Sequence, residues 1–189
     1  MKDRRIRKTE QAIQTAFAKL LSGKSVEEIT VKLLCETADI NKSTFYLHYR
    51  DIYDCADQLR DTIVEDFCEV ITPYPFAELI ENFSTVMEEL KSLCDKNKNI
   101  YNPFLKSPSL AFSSCKIKQM VIEKFLETAR LNDNVETDET FRCSVSFVIS
   151  GILSLLEQYE VTRIAPQTIL ALAEKIHHGF SNETKIRKH

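Results

Sequence analysis

The 189-residue chain has no tryptophan, three glycines and five prolines. So little glycine and proline excludes a β architecture of many hairpins and bulges, whose turns need those residues, and it leaves no material for a glycine-rich phosphate cradle. Its six cysteines (35, 55, 68, 94, 115 and 143) form no C-x-x-C pair and no Cys/His cluster at zinc spacing, so they read as reduced thiols packed as small hydrophobes. No G-x-S-x-G, no H-E-x-x-H and no nucleophile–base pair by spacing occurs, which argues against an enzyme and against a metal or cofactor. His177 and His178, with Glu174 four residues before the second, lack a further ligand and read as cations near a helix end. The opening MKDRRIRKTE has no apolar run and is not a signal peptide. The longest nearly apolar run, VSFVISGILSLL at 145–156, falls short of the roughly 20 residues of a membrane span and reads as a deeply buried helix. A cytoplasmic protein away from the membrane is expected.

What is present is an all-α pattern with an uneven charge. Residues 1–50 carry ten Lys/Arg against six Asp/Glu, and the other 139 carry fifteen against twenty-two, within a net charge of −3. A basic head on an acidic body points to a phosphate-bearing partner at one end.

Along the chain, Ala12, Ile13, Ala16, Phe17, Leu20 and Leu21 make one helical face after a Thr9 cap, and SGK at 22–24 ends that helix. Thr30 caps a second helix, with Val31, Leu34, Cys35 and Ala38 facing inward. Asp39 then takes a left-handed turn position, and Asn41 caps a third helix. Ile40, Phe45 and Tyr49 point inward on it, leaving Lys42, Ser43, Tyr46 and Leu47 outward. Two short helices, a tight turn and a polar outward face make a helix-turn-helix. Long helices are expected at 52–71, from Pro75 to about 97, at 109–132 and at 138–160, with Pro103 and Pro108 breaking the stretch between the second and third of these, where NKNIYNPFLKSPS suggests one or two short helices, and a last helix from Pro166 to Gly179.

The stretch NKSTFYLHYRD at 41–51 gathers the donors that duplex recognition needs. Short outward side chains meet base edges, while hydroxyls, an imidazole and flanking cations hold phosphates. On this reading Lys42, Ser43, Tyr46 and Leu47 face bases, and Thr44 with His48 meets one phosphate strand. The basic run Lys2, Arg4, Arg5, Arg7 and Lys8 is either a second phosphate contact or a solvated, disordered start.

Residues 9–54 resemble the DNA-binding domain of TetR/AcrR-type transcriptional regulators. The likeness lies in ITVKLLCETADINKSTFYLHY, with its cap, inner hydrophobics, turn and T-x-Y-x-H-[FY] ending in register. INKSTFYLHYRDIYD is nearest in pattern to members resembling the dihydroxyacetone-kinase regulators. The resemblance implies a helix-turn-helix DNA-binding domain over 1–51 and a helical effector-binding and dimerisation domain over 52–189. It carries Lys32, Lys42, Ser43, Tyr46 and Leu47 over as base-facing, and Thr30, Thr44 and His48 as phosphate contacts. Asp39 stands where the family has a turn glycine, and Ile52 where it commonly has a phosphate-gripping lysine; Arg50 and the basic run are the candidates to compensate.

The same resemblance implies a homodimer, a palindromic operator and release by a small-molecule or protein effector, most simply as a repressor. Phe67, Met87, Tyr101, Phe104, Phe112, Met120, Phe125 and Phe147 are the candidates for an effector pocket, against the plainer reading as core. Ser144, Ser146, Ser150, Gly151 and Ser154 alternate with Val145, Phe147, Val148, Ile149, Ile152, Leu153, Leu155 and Leu156, so that helix is apolar on more than one face. With the last helix, PQTILALAEKI, it would build the two-fold four-helix interface that the resemblance implies, with Ser150, Gly151, Ser154 and Leu155 on the one and Ile169, Leu172 and Ala173 on the other as dimer candidates, against a fully enclosed helix in a monomer. The competing function is an all-helical adaptor, or a partner-dependent regulator with weak DNA binding of its own.

Overall fold

The computed structural model describes residues 4–107, 111–132 and 138–162, with Thr168, Ala171 and Lys175 beyond them. The described residues are all-α: a helix-turn-helix head followed by a helical body. Helices α1 (Arg4–Leu21), α2 (Val31–Ala38) and α3 (Lys42–Tyr46) form the head, and α4 (Ile52–Ile71), α5 (Phe76–Glu81), α6 (Phe83–Lys96), α7 (Lys98–Leu105), α8 (Ala111–Asn132) and α9 (Glu139–Thr162) follow.

The chain separates into two compact units, one of residues 1–65 and 94–117, the other of 66–93 and 118–189. In the first, Ile13, Phe17, Leu34 and Phe45 are fully buried, and Tyr49 nearly so. Burial pushes the Tyr49 hydroxyl far above its ordinary pKa, offset in part by a hydrogen bond with Gln14, so it is a core residue. Helix α7, with Tyr101 and Phe104 buried, packs on α1. In the second unit Phe83, Val86, Leu90, Val121, Phe125, Ile149 and Ile152 are buried, and Lys118 Nζ joins α8 to α9 by reaching Ser154 Oγ (3.1 Å) and Glu157 Oε2 (2.9 Å).

Several local expectations hold. Thr30 caps α2 by accepting from the Leu33 amide at 3.2 Å, and Asn41 caps α3 by accepting from the Thr44 amide at 2.7 Å. Asp39 sits at φ 53°, ψ 49°, the left-handed region, where its own amide closes α2 on Cys35 O. One cap had not been expected: Asp51 caps α4, accepting from the Asp54 amide at 2.8 Å.

Others are corrected. Thr9 is not a cap: α1 starts at Arg4, and the Thr9 hydroxyl donates back to Arg5 O at 3.1 Å inside the helix. A short 3-10 turn, Val26–Glu28, precedes α2 and is closed by the reciprocal Ser25/Glu28 capping box. The helix expected from Pro75 to 97 is two, divided at Asn82, whose backbone leaves the helical region (φ −97°, ψ 20°) while its Nδ2 donates to Glu78 O at 2.9 Å. The short helix expected between 97 and 109 is α7, and only the break at Pro103 is corrected: Pro103 lies inside the helix, whose burial of Tyr101 and Phe104 offsets the lost amide donor. Helix α9 is not deeply buried all round. Val145, Ile149, Ile152 and Leu156 are buried, but Cys143, Phe147 and Gly151, at four-residue steps, form an exposed strip with Phe147 70% exposed. With its flanks the segment Glu139–Glu157, 19 residues, reaches the length and apolarity of a membrane span that its 12-residue core lacks, with one third buried. The expected last helix lies outside the described residues but for its three isolated positions.

Candidate nucleic-acid interface

Helix α3 sorts its side chains sharply. Phe45 is fully buried, its ring 5.6 Å from that of Tyr49 and 5.4 Å edge-on from that of Tyr46. Lys42 and Ser43 are exposed, Tyr46 is 56% exposed and Leu47 83%. An exposed leucine and tyrosine beside a lysine and a serine, one turn apart on a five-residue helix, form a small amphipathic platform of the size of a major-groove contact.

The flanking residues are less free than the sequence implied. Lys32 is exposed on α2 but lies 3.9 Å from Glu36. The Thr44 hydroxyl donates to Asn41 Oδ1 at 2.9 Å, within the α3 cap. His48 keeps only 11% of its side chain exposed and turns Nδ1 to Glu10 Oε1 on α1 at 3.5 Å. Thr30 uses its oxygen as a cap while remaining exposed. Arg50, 85% exposed, is held by Asp54, which takes its guanidinium at 3.0 Å and its amide at 2.8 Å. That hydrogen bond from Arg50, together with its amide, holds the Asp54 carboxyl below the ordinary range.

Ile52, in place of a lysine, is 6% exposed and is part of the core. The basic run is no frayed tail from Arg4 onward. Arg4, Arg5, Arg7 and Lys8 are exposed on the first turns of α1, which hold no acidic residue. Cations there oppose the positive end of the helix dipole, so a nearby anion would be favoured.

Sequence reasoning missed the carboxylates Glu10, Glu36 and Asp54. The i,i+4 spacing of Lys32–Glu36 and Arg50–Asp54 carried a signal for two of them; the pair Glu10–His48, from α1 to the turn after α3, is a tertiary contact with no local signal.

The effector-pocket candidates are divided between the two units. Tyr101 and Phe104 are buried in the first unit, whereas Phe67, Met87 and Phe125 are buried and Met120 half-buried in the second. Phe147 is exposed instead of facing inward, and the Phe112 side chain lies outside the described residues. Among the dimer candidates, Ser150, Ser154 and Leu155 are half-buried and Gly151 exposed, while Ile169, Leu172 and Ala173 lie outside the described residues. No disulfide joins the cysteines, and among the described residues no group of His, Cys, Asp and Glu could hold a metal. Burial pushes the Cys55 thiol up to about 12, which suits a packing role.

A three-helix head with its third helix presenting an outward polar face, on a body of six further described helices, is the architecture of TetR-type regulators. Solved structures match over nearly the whole chain. NalD, the secondary repressor of the MexAB-OprM multidrug efflux pump in Pseudomonas aeruginosa, gives a TM-score of 0.62 at 20% identity, covering 92% of this chain and 95% of its own. A TetR-family transcriptional regulator from Haemophilus influenzae (HI0893) gives 0.60 at 13% identity, covering 93% and 98%. The dihydroxyacetone kinase operon activator DhaS gives 0.51 at 16% identity, covering 94% and 97%. The chain has the TetR-like fold. No protein-family profile and no curated protein sequence matches it.

Proposed function

We propose that the chain is a DNA-binding transcriptional regulator and not an enzyme: a cytoplasmic homodimer that reads a palindromic operator and is released from it by a small-molecule or protein effector held by residues 52–189. The observation that carries this reading is the exposed set Lys42, Ser43, Tyr46 and Leu47 on a helix whose Phe45 is fully buried. A buried anchor beside outward short and aromatic side chains presents a fixed face to base edges. Lys32 on α2 adds a further base-facing position, and Thr30, Thr44, His48, Arg50 and the first turns of α1 flank that face as phosphate contacts. Repression is the simpler sign, since a dimer seated on an operator blocks access by itself; NalD is described as a repressor and DhaS as an activator.

Selection of bound sequences from a random duplex pool tests the reading. An enriched palindrome is expected, and a pool that stays unstructured would overturn it. The second reading, an adaptor or a regulator that needs a partner to hold DNA, is favoured by one feature: Glu36, Glu10 and Asp54 already occupy Lys32, His48 and Arg50. Enrichment only with a partner protein present would select it.

A further inference from the structure

Away from α3, the first unit carries an open groove of about 670 Å³ between α1 and α7, a volume in the range of small-ligand sites. Lys19 lines it from α1, Lys98 from the first turn of α7, and Lys106 from just beyond the end of α7. Asn99, Asn102 and Thr15 add amide and hydroxyl groups, and the described lining contains no carboxylate and no aromatic ring. A second groove of about 490 Å³, between α1 and α2, shares Thr15 and Lys19 and ends at Lys8. The spacing 8, 12, 15, 19 explains the continuity, because it is one face of α1.

Lysines recur along both grooves, whose described lining holds no acid, in a chain of net charge −3. An anion in the groove would gain charge-assisted hydrogen bonds from the exposed ammonium groups of Lys19 and Lys98. Lysine is a point charge with three donors and suits phosphate, and the amides supply the oriented donors that fix a ligand. The positive end of α7 adds to the same field. With no ring to stack on, recognition rests on phosphate charge instead of a base.

We propose that the α1–α7 groove binds a small ligand carrying two or more phosphate groups. The inference is independent of DNA binding and needs no dimer. Because α1 is the first helix of the head and α7 packs on it, an occupied groove stabilises that packing by linkage.

Calorimetric titration of the full chain with inorganic pyrophosphate and tripolyphosphate tests it, paired with thermal melting. Saturable binding is expected, tighter for tripolyphosphate, weakened by added salt, and accompanied by a raised melting temperature. The double variant K19Q/K98Q should weaken it by tenfold or more, since each charge-assisted contact removed accounts for about that factor; K98Q alone serves if the double variant melts early. K42Q should leave it unchanged. Failure of the wild type to bind either probe, or equal binding by K19Q/K98Q, would overturn the proposal. So would a K19Q/K98Q variant that loses random-duplex binding while the wild type ignores pyrophosphate, because the lysines would then serve the DNA backbone.

Discussion

Lys42 and Tyr46 sit one turn apart on α3 and owe their exposure to Phe45, which takes the inward position between them. Truncating either therefore removes a contact without opening the core. Tyr46→Ala should lower affinity for the selected operator by about 1–3 kcal/mol and leave binding to random duplex nearly unchanged, measured by gel shift against both. Equal loss on both duplexes would show that Tyr46 does not read bases. Arg50 poses the opposite case. Its guanidinium is engaged by Asp54, so in the free protein it is not available as a full phosphate contact. Asp54→Asn should raise affinity for random duplex and steepen its salt dependence by about one counterion. A flat response would mean that Arg50 takes no part in DNA binding.

At the scale of elements, the head is held by caps and by one unfavourable turn. Asp39 at φ 53° occupies a conformation that glycine adopts without steric cost. Asp39→Gly should stabilise the chain by about 0.5–1 kcal/mol, read as a shift in the denaturation midpoint at constant slope. Glu28 and Asp54 fix two further joints: Glu28 accepts from the Ser25 amide at 2.8 Å, and Asp54 accepts from Arg50. Both carboxyls titrate lower folded than free, Glu28 chiefly through the Ser25 amide and Asp54 chiefly through the Arg50 side chain. Their contribution is therefore complete above the unfolded values near 4.5 and 3.8, and is lost as pH falls through the depressed folded values. Denaturation midpoints measured from pH 6 downward should fall with acid below that window, and the fall should shrink in a Glu28→Gln variant.

The caps Thr30 and Asn41 and the turn at Asp39 were legible because each depends on residues within four positions. The break at Asn82, the helical Pro103 and the start of α1 at Arg4 were not, because local alternatives there are close in energy and packing or a single side-chain bond decides. The outward set on α3 follows from phase alone, whereas Glu10 at His48 is a contact between α1 and the turn after α3, which no local pattern encodes.

For the whole molecule the decisive surface is the strip Cys143, Phe147 and Gly151 on α9. A phenylalanine 70% exposed at the centre of a long apolar helix leaves apolar area in water that a second copy would cover. Gly151 allows a clean test, because a Cβ built there meets nothing within 4 Å. In a monomer, Gly151→Arg should fit without strain and stabilise α9 by about 1 kcal/mol, the usual gain on replacing a mid-helix glycine. In the proposed dimer the same arginine lies where two helices approach closely, and it has no room and no partner for its charge. Light scattering after gel filtration should then report a dimer for the wild type and a monomer for the variant, with helical content retained. A monomeric head carries one recognition helix, so the variant should also lose most of its preference for a palindrome over a single half-site, since two half-sites no longer act together. A variant that melts higher yet stays dimeric would place the interface elsewhere, and a wild type that is monomeric would leave α9's strip for another partner.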